Sequence, residues 1–279
     1  MRARRPDGPV LKWAGGKTHL LSQILERLPV RMETYFEPFV GGGAVFFALA
    51  RQKRFRRAVI ADQNEDLVEV YAAIRDDVEA VIRALQLYRY DEEVYYQARA
   101  ARPQEPARRA ARLIFLNKTG YNGLYRVNSK GEFNVPFGRH KNPKICDESN
   151  LRSAAQALRR VTIRVADFEA VCADAHPGDA VYLDPPYLPV STTSSFAAYD
   201  RHPFGFAEHQ RLARVFGELA DRRVDAVLSN SLTRDTRRLF RPWRLEKVVV
   251  PRFINSRADS RGPVGEILVV NRPAAARSR

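Results

Sequence analysis

A glycine-rich turn between a short strand pattern and a helical pattern constrains the fold more than any other feature. Residues 34–37 have the character of a strand, PFVGGG follows them, and a helical pattern begins near Ala44. A second strand pattern, residues 58–61, ends at Asp62. Strand, glycine turn, helix and strand in this order are typical of a parallel α/β sheet, because parallel strands need a crossover connection. We therefore predict an α/β fold.

The α/β pattern is interrupted by a long insertion and then resumes. Residues 76–112 have a helical, arginine-rich pattern, whereas residues 117–147 are crowded with glycine, asparagine and basic residues that predict turns and a hairpin. Strand and helix patterns then alternate again, and residues 248–252 and 266–271 predict a closing antiparallel pair. The predicted domains are residues 1–70 and 151–279 for a sheet domain and residues 71–150 for the insertion.

The glycine turn and Asp62 together favour a nucleotide site. Glycine allows tight turning and close approach of the backbone to a ligand. Asp62 lies 19 residues beyond Gly43, the spacing at which an acidic residue binds a ribose hydroxyl in nucleotide-binding folds. The dinucleotide fingerprint is incomplete, because Phe46 occupies the position of its last glycine. A simple turn is the alternative, but an adenosyl group without a pyrophosphate fits the pattern better than NAD.

The segment GGKT, residues 15–18, is not a phosphate loop. That motif requires a glycine six residues before the lysine, where this chain has Leu11, and no strand pattern precedes it. This excludes ATP hydrolysis at the segment. Lys17 begins a helical pattern, where a positive charge opposes the helix dipole. It is either a solvated side chain or a sign that a ligand carboxylate lies nearby.

The sequence DPPY, residues 184–187, follows a buried strand pattern. Ligands bind at the carboxyl ends of strands in open α/β sheets. Pro185 and Pro186 restrict the backbone, so a carboxylate, a carbonyl and the Tyr187 ring are rigidly placed. Such a set suits a planar substrate with an amino group, and stacking of a base on an aromatic ring is worth roughly 1–3 kcal/mol. The alternative is a rigid turn capped by Asp184.

The charge and the cysteines narrow the class of partner. The net charge is +15, which favours a polyanion such as nucleic acid or an acidic membrane surface, although a merely soluble surface is the alternative. Cys146 and Cys172 form no CxxC pattern, so we expect no disulfide framework or zinc site, and a reducing cytoplasm fits. No segment approaches the roughly 20 apolar residues of a membrane span, and the N-terminus lacks a secretory signal pattern.

Seven segments resemble, in order and over nearly the whole chain, the Dam-type subgroup (D12 class, α group) of DNA adenine-N6 methyltransferases. DPPY matches the catalytic motif of the amino-group DNA methyltransferases. The resemblance implies a Rossmann-like S-adenosylmethionine-dependent methyltransferase sheet with an inserted helical and hairpin target-recognition domain. The segments are KWAGGK (12–17), EPFVGGGAVF (37–46), Asp62–Asn64, NKTGYNGLYRVNSKGEFNVPFGRH (117–140), ADF (166–168), DPPYLPVSTTSSF (184–196) and RFINSRADSRGPVGEILVVN (252–271).

The resemblance also implies the cofactor and the catalytic residues. An adenine is flipped out of the duplex at a cost of about a few kcal/mol, donates from its amino group to Asp184 and the Pro185 carbonyl, and stacks on Tyr187. Its nitrogen attacks the methyl group directly, with no metal and no covalent enzyme intermediate. The catalytic residues are Asp184, Pro185, Pro186 and Tyr187. The S-adenosylmethionine contacts are Trp13, Lys17, Phe39, Gly41, Gly43, Asp62, Asp167, Phe168 and Asp184.

The resemblance assigns DNA contacts as well. Arginine pairs bidentately with guanine, although Arg126 as a solvated or phosphate-bound side chain is the alternative. The match over residues 120–140 favours GATC, while relatives of the same subgroup recognise longer sites beginning GA. His140 occupies a position where the family commonly has a tyrosine. This difference affects the choice of recognition sequence and not the catalytic chemistry. Base contacts are Lys12, Asn122, Leu124, Arg126 and Pro136, Tyr121 fills the opened stack, and Arg139 and Lys141 bind phosphates.

Three other functions can be weighed against this one. A cytosine-C5 enzyme needs a nucleophilic cysteine beside a proline, but Cys146 follows Ile145 and Cys172 follows Val171. Cytosine-N4 enzymes usually carry serine at the position of Asp184. A DNA-binding protein without turnover conflicts with the intact KWAGGK, Asp62 and DPPY. We expect a cytoplasmic enzyme of bacterial or phage origin that acts on double-stranded DNA, monomeric in solution and able to occupy DNA in more than one copy.

Overall fold

The computed structural model describes residues 8–13, 15–188, 204–248 and 265–271. Its helices and strands form a mixed α/β fold with a seven-stranded sheet in the order β3-β2-β1-β4-β5-β7-β6. This confirms the predicted α/β class. The strands are β1 (Met32–Glu37), β2 (Phe55–Asp62), β3 (Val161–Val165), β4 (Ala180–Leu183), β5 (Asp225–Ser231), β6 (Arg244–Val248) and β7 (Glu266–Val270). The helices are α1 (Leu21–Arg27), α2 (Ala44–Arg51), α3 (Glu65–Gln86), α4 (Glu92–Ala100), α5 (Pro106–Thr119), α6 (Glu148–Leu158), α7 (Phe168–Ala173), α8 (Phe206–Asp221) and α9 (Arg234–Phe240).

The chain divides into two compact units. The first contains the described residues of Met1–Gly16, Val40–Lys53 and Ile60–Ala166, and the second those of Lys17–Phe39, Arg54–Val59 and Asp167–Arg279. The domain boundaries expected near residues 70 and 150 stay a prediction.

The second unit contains β4, the strand that leads directly into the DPPY sequence, and the strands that pair with it. β4 pairs in parallel with β1 and with β5, whereas β7 runs antiparallel to both β5 and β6. All four residues of β4 are buried, as expected for a strand between two neighbours in a sheet covered on both faces. Asp184 directly follows Leu183, so it lies at the carboxyl end of β4.

The first unit is built around the long helix α3. Asn64 caps this helix by accepting a hydrogen bond from the Leu67 backbone at 3.0 Å. α3 packs against α5 and α6, and its buried apolar side chains include Leu67 and Ile74. Asp77 has a non-helical backbone and interrupts this helix.

The glycine-rich segment between α5 and α6 doubles back on itself, as the hairpin prediction expected. Isolated antiparallel bridges join Gly120 to Phe137 and Val127 to Phe133. A tight turn closes the hairpin, where the Asn128 backbone donates to the Glu132 carbonyl at 2.9 Å. The segment therefore exposes turn residues instead of extending the sheet.

Two elements differ from the sequence expectations. β6 begins at Arg244, four residues before the strand predicted at residues 248–252, of which residues 249–252 lie outside the described residues. Helix α9 was not predicted because seven residues are too few to show an apolar period. Its only local signal is a capping box, in which Thr233 and Thr236 exchange hydrogen bonds.

Candidate functional site

In the second unit, the Asp184 carboxylate is held by one of its two oxygens. Lys17 Nζ lies 2.7 Å from Oδ1, and Ser229 Oγ donates to the same atom at 2.8 Å. Oδ2 makes no hydrogen bond to any described residue. The Asp184 side chain is only 19% exposed, so the carboxylate is largely buried.

The surroundings of Asp184 set its charge. Burial raises the pKa of this carboxyl above its ordinary value, while the Lys17 ammonium and the Ser229 hydroxyl oppose the rise. Lys17 is buried and would itself be costly there without a partner. The two side chains therefore stabilise each other's charged forms.

Tyr187 is contacted at its phenol oxygen and over its ring. The phenol donates to Glu266 Oε2 at 3.0 Å, and Lys17 Nζ lies 4.7 Å from the ring centroid. The other Glu266 oxygen lies 3.1 Å from His19 Nε2. Burial raises the pKa of Tyr187 well above its ordinary value, so the phenol stays a neutral donor. The DPPY carboxylate and ring are thus joined through Lys17.

A layer of buried polar groups lies beneath Asp184. The Tyr182 hydroxyl lies 3.0 Å from Ser229 Oγ, and the Tyr35 hydroxyl donates to Glu37 at 2.8 Å. Burial raises the pKa of both tyrosines, which keeps them neutral. Ser229 therefore has a partner on each side, which fixes its bond to Asp184.

A second cluster in the same unit contains three predicted cofactor residues. The rings of Phe39 and Phe168 are stacked with centroids 5.4 Å apart, and Phe204 contacts both edge-on. Arg211 binds both carboxylate oxygens of Asp167 at 2.9 and 2.8 Å, and its guanidinium lies 4.3 Å from the Phe168 ring centroid. Sequence reasoning grouped Phe39, Asp167 and Phe168 but missed Arg211.

In the first unit, the glycine turn is pinned from two sides. The Gly41 amide donates to Asp62 Oδ2 at 3.1 Å, and the Tyr71 phenol donates to the Gly41 carbonyl at 2.7 Å. Gly41 and Gly43 have φ values of 47° and 70°, which favour glycine. A Cβ on Gly41 would lie 2.9 Å from Trp13 Cδ1. The structure thus gathers Trp13, Gly41 and Asp62, and glycine is required for the close approach.

A buried amide organises the predicted DNA-contacting segments of the first unit. Asn117 accepts from the Lys12 backbone amide at 2.8 Å and donates to the carbonyls of Lys12 at 2.8 Å and Gly123 at 3.0 Å. A Cβ on Gly123 would lie 2.6 Å from Lys12 Cδ. The Trp13 ring stacks on Tyr125 with centroids 5.3 Å apart. Asn117 is the first residue of the resembling segment 117–140, but its sequence context does not indicate this role.

All the predicted DNA contacts are exposed: Lys12, Tyr121, Asn122, Leu124, Arg126, Pro136, Arg139 and Lys141. Tyr121 is 54% exposed, which is high for a large aromatic ring and consistent with a contact surface. Arg126 is held by one edge, since Nε donates to Asn134 Oδ1 at 2.7 Å and Nη2 to the Asn134 carbonyl at 3.1 Å. Within the described ranges, neither Arg139 nor Lys141 forms an ion pair.

The two cysteines are unsuited to covalent catalysis. Burial raises the pKa of Cys172 to about 12, and it also raises the pKa of Cys146. A thiol must ionise to act as a nucleophile, so a raised pKa disfavours this role for both cysteines.

Among the described residues there is no cluster of three or more metal-ligating side chains. None of the described helices is long and apolar enough to span a membrane.

The chain is similar to known methyltransferases over most of its length. The chain is 43% identical over 284 residues to the type II methyltransferase M.MjaIII of Methanocaldococcus jannaschii, covering 94% of this chain and 98% of the relative. It is 38% identical to M1.LlaDCHI of Lactococcus lactis subsp. cremoris and 37% identical to the DNA adenine methylase of Escherichia coli K12, with 94% of this chain and 95% of each relative covered. Residues 13–251 match the family described as D12 class N6 adenine-specific DNA methyltransferase. The chain therefore belongs to the D12 class of N6 adenine-specific DNA methyltransferases.

Proposed function

We propose that this adenine-specific DNA methyltransferase transfers the methyl group of S-adenosylmethionine to N6 of a flipped adenine in duplex DNA, within the site GATC. The observation that carries the proposal is the Asp184 carboxylate beside the ring of Tyr187: Oδ1 is held by Lys17 and Ser229, and Oδ2 accepts no hydrogen bond from any described residue. A carboxylate acceptor next to an aromatic face suits a planar base with an exocyclic amine.

The residues in each unit fit the proposed cofactor. In the first unit, the space at Gly41 admits no Cβ, and Asp62 closes the turn, as a site that approaches an adenosyl group with its backbone requires. Bound S-adenosylmethionine supplies an electrophilic methyl group on a sulfonium. Residues that would contact it are Trp13, Gly41, Gly43 and Asp62 of the first unit, and Lys17, Phe39, Asp167, Phe168 and Asp184 of the second.

In this mechanism the chain positions the amine and does not form a bond to it. Asp184 Oδ2 accepts a hydrogen bond from one amino N–H, and the Pro185 carbonyl accepts a hydrogen bond from the other. These two bonds turn the nitrogen lone pair out of conjugation with the ring. Tyr187 stacks on the base, and Pro186 keeps the turn rigid. Lys17 keeps Asp184 ionised. The rate enhancement then comes from orientation and electrostatics.

Label transfer tests this proposal. The enzyme is incubated with tritiated S-adenosylmethionine and a duplex that contains GATC, and the DNA is then hydrolysed so that label in adenine and label in cytosine are measured separately. We expect label in adenine alone. Label in cytosine alone would favour an N4 enzyme, and duplex binding without transfer to either would favour a binding protein without turnover.

Recognition of GATC is tested by digestion. DNA from cells that express the chain is treated with nucleases that distinguish methylated from unmethylated GATC. Complete protection at GATC alone supports the proposed site. Protection confined to longer sites beginning GA would replace it. Finding a cognate nuclease encoded beside the chain would favour a restriction-modification role over replication or repair.

Arg126 is the most informative residue for site recognition. We expect Arg126→Ala to lose discrimination at one base pair by about 1–3 kcal/mol, because a braced guanidinium pairs with one guanine. The measurement compares kcat/KM over duplexes substituted at each position of the site. The matched control is Arg139→Ala, an exposed arginine assigned to phosphate, which should weaken all duplexes alike. Uniform weakening by Arg126→Ala would make it a phosphate contact.

Salt dependence separates phosphate contacts from base contacts. With a net charge of +15, binding should fall steeply with salt, and the slope of log K against log salt gives the number of neutralised phosphates. Arg139→Ala and Lys141→Ala should each reduce the slope by about 1 in fluorescence anisotropy titrations. Unchanged slopes in both variants would remove these residues from the phosphate contacts.

A further inference from the structure

Glu266 is a partly buried carboxylate that none of the assigned roles uses. It is the first residue of β7 and pairs with Ser231 at the end of β5. Since β5 is parallel to β4, this pairing places Glu266 at the edge of the sheet where β4 delivers Asp184. The Glu266 side chain is only 18% exposed.

The partners of Glu266 are unusual for a structural carboxylate. Oε2 accepts from the Tyr187 phenol at 3.0 Å, and Oε1 lies 3.1 Å from His19 Nε2. By contrast Glu246, on β6 and 19% exposed, pairs with Arg27 and with Arg244. Glu246 thus has the arginine partners expected of a structural ion pair, whereas Glu266 bonds to the catalytic ring.

The hydrogen bond to Glu266 restrains a motion that Tyr187 would otherwise retain. A tyrosine ring turns about two side-chain torsions, and the two prolines before Tyr187 fix only its backbone. Lys17 lies over the ring at 4.7 Å but makes no directional bond to it. An acceptor at the phenol oxygen fixes the far end of the ring and therefore the plane on which a base stacks.

We propose that Glu266 is a positioning residue for methyl transfer: it holds the Tyr187 phenol and thereby sets the plane of the ring against the target base. This rests on the proposed function, in which Tyr187 stacks on a flipped adenine. His19 fixes the second Glu266 oxygen, so the carboxylate presents Oε2 to the phenol. Ser229 contacts both Asp184 and the Tyr187 phenol, whereas Glu266 bonds to the phenol and not to Asp184.

The test compares three substitutions in the full chain. Glu266→Leu removes the acceptor of the phenol hydrogen bond. Because loss of one hydrogen bond that positions the ring corresponds to about a tenfold change in rate, kcat should fall about tenfold, with little change in the KM for S-adenosylmethionine. Glu266→Gln keeps an acceptor oxygen and should restore most of the rate. Tyr187→Phe keeps the ring and removes the donor, so it should match Glu266→Leu. The double variant Glu266→Leu/Tyr187→Phe should be no slower than either single variant.

A second readout is independent of turnover. Duplex DNA with 2-aminopurine at the target position reports the environment of the flipped base, and its fluorescence in the enzyme complex should change in both Glu266→Leu and Tyr187→Phe. Glu246→Gln is the control, and it should lower Tm while leaving kcat and fluorescence unchanged.

Clear outcomes would overturn the inference. Wild-type kcat in Tyr187→Phe would do so even if Glu266→Leu did not fold, and so would single-variant losses that multiply in the double variant. If the wild-type chain transfers no label to adenine, the proposed function has failed. If the wild type is active and Glu266→Leu is fully active, only the role of Glu266 has failed.

Discussion

Replacing Asp184 by alanine should reduce methyl transfer by about 10²–10³-fold while duplex binding persists. The variant removes the acceptor that fixes the amine, and loss of one preorganised polar group commonly costs 10²–10³ in kcat. It also leaves the buried Lys17 ammonium without its carboxylate. Label transfer from tritiated S-adenosylmethionine measures the first quantity, and fluorescence anisotropy with a duplex measures the second.

Asp179 provides the matched control for this variant. It directly precedes β4, is buried, and accepts hydrogen bonds from the Thr34 and His176 backbones at 2.8 Å each. Asp179→Asn should lower Tm and keep most of the activity, because this carboxylate only ties backbone segments together. Near wild-type methylation by Asp184→Ala would remove Asp184 from the catalytic step.

Replacing Lys17 by methionine should move the acid limb of the pH–rate profile to higher pH. Burial already raises the pKa of Asp184, and the Lys17 ammonium opposes this rise more than any other group does. Without the ammonium, the pKa rises further, so the carboxyl is protonated at a pH where the wild-type group is charged. We expect kcat at neutral pH to fall about tenfold or more and to recover in part as pH increases. The profile is measured at saturating S-adenosylmethionine.

Recovery at higher pH distinguishes this effect from a loss of cofactor binding. A Lys17 side chain that served only to bind the cofactor would raise the KM without moving the acid limb of kcat. The variant Lys17→Arg is the control, since it keeps the positive charge beside Asp184 and should retain the wild-type position of the limb. An unmoved limb in Lys17→Met would show that Lys17 does not set the charge of Asp184.

Local patterns were sufficient for the fold class and for several site residues. The glycines in the sequence indicate a tight turn. In the structure Gly41 and Gly43 adopt positive φ values that other residues rarely adopt. The buried strand pattern before DPPY corresponds to β4, since a strand buried on both faces is continuously apolar. Asp184 follows it directly, so its place at the sheet edge followed from sequence alone. Helix α9 is too short for such a pattern to report it.

The partners of these residues come from distant parts of the chain, and no local pattern reports them. Ser229 lies 45 residues from Asp184, Glu266 lies 79 from Tyr187, and Arg211 lies 44 from Asp167. Each has an ordinary local reason to be where it is: a serine in a strand, a glutamate at a strand start, an arginine on a helix surface. Their roles depend on which strands and helices become neighbours.

The amino-acid sequence by itself determined the fold class, the glycine turn and the family, since these depend on residue type and order within short segments. Tertiary structure alone decided that Lys17 pairs with Asp184, that Glu266 accepts from Tyr187, and that Lys17 and Ser229 both bind Oδ1 of Asp184. The physical reason is that hydrogen bonds and ion pairs act over about 3 Å, and only the folded chain brings such distant groups that close.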